Sequence, residues 1–388
     1  MLTRRQALAG AAGGVSAFAI GRSAEAQAVT KVGLILPMTG PFTSTGRQIA
    51  AAARLYLARN GDTVAGRKVE IVLRDDTGTP DVSRRIAQEL IVNDRVAFIA
   101  GFGLTPIAFA CAPLATQSQT PMIVMAAATA AITERSDFIV RASFTLPQAT
   151  GPIADWAVQN NIRKVMSLVS DYAPGHDAER AFKERFTSRG GEVVGEVRVP
   201  LRNPDFAPFL QRVADTRPDA LFVFVPSGVG AQVMRQFVER GLNQSGIRLI
   251  GTGDLTDDDN LNEFGDAALG VVTSHHYSAA HPSPENRAFV EAFKQANPGM
   301  RPNFMAAGGY DGMHLVCEAL KATSGAGNGP ALLEAMKGLS WTSPRGPVRI
   351  EAATREMTQN IYVRRVERVD GELYNVEFAT FEAVQAAR

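Results

Sequence analysis

Two short loops carry residue types that can hold an anion without a cation. Thr43-Ser44-Thr45-Gly46 lies between an apolar run and an amphipathic stretch, and Phe102-Gly103-Leu104-Thr105 precedes a second such stretch with Pro106 in an N1-like place. Helix N-termini expose unpaired N–H groups and a partial positive charge, so a carboxylate can bind there with no basic side chain. The same hydroxyls can also serve as plain helix caps, and the two roles do not exclude each other.

The remaining polar clusters do not assemble a catalytic site. His275, His276 and His281 form the one histidine cluster, but successive strand residues face opposite sides, so no metal is expected. Asp257-Asp258-Asp259 lacks the Gly and the terminal Glu of a calcium loop and reads as a solvated helix start. Gly101-Phe-Gly103 and Gly251-Thr-Gly253 open like dinucleotide turns but have no third glycine. Neither a G-x-S-x-G elbow nor a phosphate-cradling G-x-x-x-x-G-K occurs. No enzyme and no cofactor is predicted. Cys111 and Cys317 both fall in helical stretches, and the sequence leaves open whether they are bridged or free.

Something larger must position the two loops. The chain has 388 residues, 45% hydrophobic and 20% charged, which suits two ordinary globular domains. Met1 to Ala28 reads as an export leader, with Thr3-Arg4-Arg5, an uncharged run from Ala7 to Ile20, and small-x-small cleavage sites at Ala24-Glu25-Ala26 and Ala26-Gln27-Ala28. The arginine pair favours a twin-arginine signal over general secretion. The fourteen-residue uncharged run falls short of the roughly 20 needed to span a bilayer, so a soluble periplasmic protein is expected. Cleavage subtracts three Arg and one Glu from 40 basic and 39 acidic residues, leaving a net charge of −1 and no field to hold nucleic acid.

From Lys31 onward, β-branched runs alternate with amphipathic stretches, which predicts parallel sheets built from βαβ units. Residues 30–142 and 163–274 hold two such series of similar length. The predicted fold class is therefore α/β, with two doubly wound Rossmann-like lobes joined by a hinge. Residues 29–144 with 276–347 are assigned to lobe 1, and 145–275 with 348–388 to lobe 2. Crossings are expected near 143–147, 274–278 and 345–352. Both loops then lie at the carboxyl ends of strands, where open α/β sheets bind ligands.

Lys31-Val-Gly-Leu-Ile-Leu-Pro-Met-Thr-Gly-Pro-Phe42, Gly46, Arg74-Asp75-Asp76 and Pro121-Met-Ile-Val-Met-Ala-Ala-Ala-Thr129 together resemble the type I periplasmic solute-binding proteins of the branched-chain amino-acid transporter class, over essentially the whole chain from Val29 to about Phe378. The resemblance implies an extracytoplasmic receptor that closes two lobes on a small ligand and delivers it to the membrane permease of an ABC importer. It places the ligand carboxylate on Thr105, Thr129 and the backbone N–H of Ala127; Ser44, Gly103 and Ala128, in the same loops, are further candidates. Members that hold an amino acid carry an acidic residue where this chain has Gly253, one position before Asp254. A missing ammonium partner would favour an aromatic acid or 2-oxo acid over an amino acid, with Phe42, Phe102, Phe144, Tyr172 and Tyr277 as candidate ring partners. Branched-chain amino-acid binding and a ligand-sensing module for a signalling partner are the alternatives. The protein is expected to act as a monomer.

Overall fold

The structure is a computed structural model and describes residues 28–386. Apart from Ala28, the predicted leader lies outside the described residues. Among the described residues, no helix is long and apolar enough to cross a membrane.

The first sheet contains β1 (Val29–Leu36), β2 (Thr63–Val64), β3 (Arg67–Asp75), β4 (Phe98–Gly101), β5 (Met122–Val124) and β6 (Ile139–Arg141). Its order is β2-β3-β1-β4-β5-β6, parallel except at β2. Helices α1 (Thr43–Asn60), α2 (Pro80–Val92) and α3 (Thr105–Ser118) connect these strands. Val32, Leu34, Ile35 and Leu36 are all buried, which is why β1 reads as a continuous apolar run: helices cover both faces of its sheet.

The second sheet begins after α4 (Leu146–Gln159) with β7 (Lys164–Ser170), α5 (Ala173–Ser188), β8 (Glu192–Val199), α6 (Ala207–Thr216), β9 (Ala220–Phe224), α7 (Gly230–Glu239), β10 (Arg248–Thr252) and β11 (Val272–His275). The chain then turns back through α8 (Pro284–Ala296), α9 (Phe304–Ala322) and α10 (Gly329–Met336), with α8 and α9 against α1 and α10 against α9. It ends in β12 (Ser340–Ser343), β13 (Gly346–Ile350), β14 (Met357–Val369) and β15 (Glu372–Val384). The nine strands run β12-β13-β14-β11-β10-β9-β7-β8, with β15 paired to β14. From β11 to β8 the pairing is parallel, and β12 to β15 add the antiparallel edge. The two doubly wound halves predicted from the alternation are present. Ser340–Ser343 pairs into the second sheet, so the chain re-enters that sheet before residue 345, while Trp341 and Ser343 of β12 both donate to Asp311 on α9.

Candidate functional site

The carboxyl ends of the strands in both sheets face one narrow cavity with an empty volume of about 380 Å³. The first half supplies Thr45, the Gly103–Thr105 loop and the Ala126–Ala128 segment; the second supplies Tyr172, Phe224, Ser227 and Asp254, with Phe144 from the crossing between them.

One wall is a set of unfilled donors. Helix α3 opens at Thr105 with Pro106 in its first turn, and no side chain caps it. The Thr105 hydroxyl donates to the Thr129 hydroxyl at 3.2 Å. Ala127 does not offer its N–H, as expected from the resemblance, because that group donates to the Phe102 carbonyl at 3.0 Å. One position further along, the N–H groups of Ala128 and Thr129 have no partner among the described residues.

The opposite wall is aromatic and acidic. The Tyr172 and Phe224 rings stack with centroids 6.1 Å apart at 14°, and burial together with the Asp254 carboxylate pushes the Tyr172 phenol well above its ordinary pKa. It is a neutral hydroxyl at any physiological pH. Asp254 is 5% exposed. It accepts from the Thr252 hydroxyl at 3.1 Å, and His275 Nε2 lies 3.5 Å away. Burial lowers the His275 pKa to about 4, so near neutral pH the imidazole brings no charge to that carboxylate. Ser227 is 3% exposed, and its hydroxyl lies against the buried Asp257 carboxyl.

Gly103, Thr105, Ala127, Ala128, Phe144, Tyr172 and Asp254 thus meet at the cavity, with Thr129 joined through its hydroxyl. Five other candidates lie elsewhere. Phe42 is buried beneath the Arg202 guanidinium, 6.0 Å from its ring centroid. Phe102 has a left-handed backbone, φ +63°, and its ring enters the first-lobe core. The Ser44 hydroxyl donates to Asp259 at 3.4 Å. Tyr277 is fully buried against Phe289. Gly253 leaves room for buried neighbours, since a Cβ there would run into the Arg364 guanidinium and lie 2.7 Å from His275. Asp254, the next residue, is among those that line the cavity.

Two further expectations change. Asp257 and Asp258 are buried rather than solvated: Asp257 accepts from Asn303 Nδ2 at 2.9 Å, and Asp258 from Asn375 Nδ2 at 3.0 Å. The His275 and His276 rings do not diverge, because β11 ends at His275 and strand alternation stops there; their centroids are 4.5 Å apart. No metal-ligand cluster occurs among the described residues. Cys111 and Cys317 are buried free thiols, each raised by burial to about 12.

Sequence reasoning missed Phe224 and Ser227. Both sit at the carboxyl end of β9, and the strand-end rule applied to β1 and β4 would have found them.

Two lobes, each a doubly wound sheet, with strand ends meeting at one cavity, have the architecture of a solute-binding protein. The chain matches the family described as periplasmic binding protein over residues 29–372 and belongs to it. A relative from Brucella melitensis biotype 1, "Leu/Ile/Val-binding protein homolog 6", is 44% identical over 373 residues, 95% of each chain. A solved solute binding protein of an ABC transporter from Rhodopseudomonas palustris BisB5, in complex with 3,4-dihydroxy benzoic acid, is 62% identical with a TM-score of 0.91, covering 92% of this chain and 98% of its own. Another from Rhodopseudomonas palustris HaA2, in complex with p-hydroxybenzoic acid, is 41% identical with a TM-score of 0.90 at 92% and 98% coverage.

Proposed function

We propose that this protein is the periplasmic solute-binding component of an ABC importer, exported by its N-terminal leader, and that it captures a hydroxylated aromatic carboxylate between its lobes. The observation that carries the reading is the polarity of the cavity. One wall holds Ala128, whose N–H has no partner among the described residues, and the N-terminus of α3; the other holds Asp254 and Ser227 beside stacked Tyr172 and Phe224. A flat ring with a carboxylate at one end and a phenolic hydroxyl at the other satisfies both walls, the phenol donating to Asp254. The structures with hydroxybenzoic acids support the same class.

A second reading, a branched-chain amino acid, is favoured by the same Asp254, which could take an ammonium, and by the Brucella relative's name. Partial closure without transport, as in a sensing module, would use the same site.

Thermal shift followed by isothermal titration with 3,4-dihydroxybenzoate, 4-hydroxybenzoate, benzoate, phenylpyruvate and leucine separates these readings. A ligand at 100 times its dissociation constant adds about 2.7 kcal/mol of stability, which is readily seen. The hydroxybenzoates should bind most tightly, and Asp254→Asn should erase their advantage over benzoate. Tight leucine binding with no response to either hydroxybenzoate would overturn the reading.

A further inference from the structure

The carbonyls of the binding segment are held from behind. Arg141, at the end of β6, is fully buried, with Nη1 2.5 Å from the Ala127 carbonyl and Nη2 2.7 Å from the Thr129 carbonyl. The carbonyl between them, Ala128, accepts from the Leu146 N–H at 3.0 Å. Glu356 fixes the guanidinium, taking Nε at 2.5 Å and Nη2 at 3.2 Å, and is itself held by the Thr133 hydroxyl at 2.7 Å.

A trans peptide points its N–H opposite to its carbonyl. With three successive carbonyls tied down, the N–H groups of Ala128, Thr129 and Ala130 must face away from their clamps. The third shows the consequence: the Ala130 N–H reaches Asp177 Oδ2 on α5 at 3.0 Å. The other two have no partner among the described residues.

We infer that Arg141, anchored by Glu356, is a positioning residue that sets the carboxylate cradle by holding the Ala127 carbonyl so that the Ala128 N–H faces the cavity, without touching the ligand. The inference rests on the carboxylate reading above. A lysine can keep the charge opposite Glu356, but its single ammonium cannot reproduce a planar fork that serves two carbonyls and a carboxylate together.

The test pairs Arg141→Lys with Glu356→Gln and uses two readouts. Titration with 4-hydroxybenzoate and with 4-hydroxybenzamide gives an acid-to-amide affinity ratio, which should fall about tenfold in Arg141→Lys because charge-assisted bonds are lost only from the acid. In parallel, selectively labelled alanine and threonine amides in the ligand-free protein should show the Ala128 and Thr129 resonances displaced. A purely structural role would weaken acid and amide alike and leave the ratio unchanged, and that outcome overturns the inference. So do unmoved Ala128 and Thr129 resonances. If Arg141→Lys fails to fold, the same two readouts on Glu356→Gln decide. If the wild type binds neither compound, the aromatic-acid reading falls, while the ligand-free resonances still judge the role of Arg141.

Discussion

The ligand cavity and the hinge a few residues away use opposite electrostatics. Around the expected carboxylate there are N–H groups and hydroxyls and no cationic side chain. Around the crossings, three arginines are fully buried, and each holds at least one chain carbonyl. Arg141 holds Ala127 and Phe144, Arg345 holds Ala142 at 2.5 Å and Ser143 at 3.4 Å, and Arg364 holds Tyr277. Their counterions are Glu356, Asp311 and Asp258. The difference follows from what must leave. A guanidinium in the cavity would become an uncompensated charge each time the ligand departed, whereas open N–H groups return to water at little cost. Permanent charge pairs therefore suit the hinge, and neutral donors suit a site that empties and fills.

The largest effect should come from the hinge. Arg345 Nη2 sits 2.6 Å from Asp311 Oδ2, with both side chains at most 1% exposed. Removing one member of such a pair costs about 3–5 kcal/mol. Arg345→Ala should therefore lower the denaturant midpoint sharply, while its folded fraction keeps the wild-type order of ligand preference. A loss below about 1 kcal/mol, the ordinary worth of an exposed pair, would break the contrast between hinge and site.

The site should answer in the reverse sense. Thr129 is 4% exposed, and its hydroxyl meets that of Thr105. Losing a hydrogen bond to a charged acceptor costs roughly 1.5–3 kcal/mol. Thr129→Ala should thus weaken binding of a hydroxybenzoate by about tenfold or more, while stability falls by only the roughly 1 kcal/mol of a neutral bond. Titration and urea unfolding of the same preparation compare the two, and equal losses in both would mean that Thr129 serves the fold rather than the ligand.

Most of what positions the cavity was legible in the chain, because buried parallel strands announce themselves as apolar runs and strand-end loops carry the donors. Thr105, Tyr172 and Asp254 were reachable that way. What stayed hidden depends on partners distant in sequence or on direction within one residue. Asp257 and Asp258 look solvated until Asn303 and Asn375 arrive from α9 and β15. Gly253 looks like a vacancy for an acidic group until Arg364, on β14, fills the space beside it. Phe102 and Ala127 lie in the right loops, but a left-handed φ at Phe102 accompanies a ring in the core, and the Ala127 N–H is taken by the Phe102 carbonyl. Local pattern fixes the loop, and only tertiary contacts fix which of its residues face inward.

The smallest expected effect concerns pH and sharpens the contrast once more, since it sets a charge buried near the hinge against the histidine beside Asp254. His275 is lowered by burial to about 4. Between about pH 6.5 and 4 the unfolded chain therefore binds more protons at this residue than the folded one does, and acidification through that window destabilises the fold. Asp257 is raised by burial to about 7, so it has the opposite sign: the folded state binds the extra proton, and acidification from pH 7 toward the ordinary carboxylate range stabilises. In the wild type the two slopes offset each other. Asp257→Asn keeps the oxygen that accepts from the Asp259 N–H and Asn303 but no longer titrates, so the destabilisation from His275 should stand uncovered. Thermal unfolding from pH 7 to 4 should show the variant losing stability more steeply than the wild type, by up to about 1.4 kcal/mol per pH unit. Parallel curves would mean that Asp257 is ionised in the folded protein, its charge carried by the Asn303, Ser227 and Asp259 backbone donors.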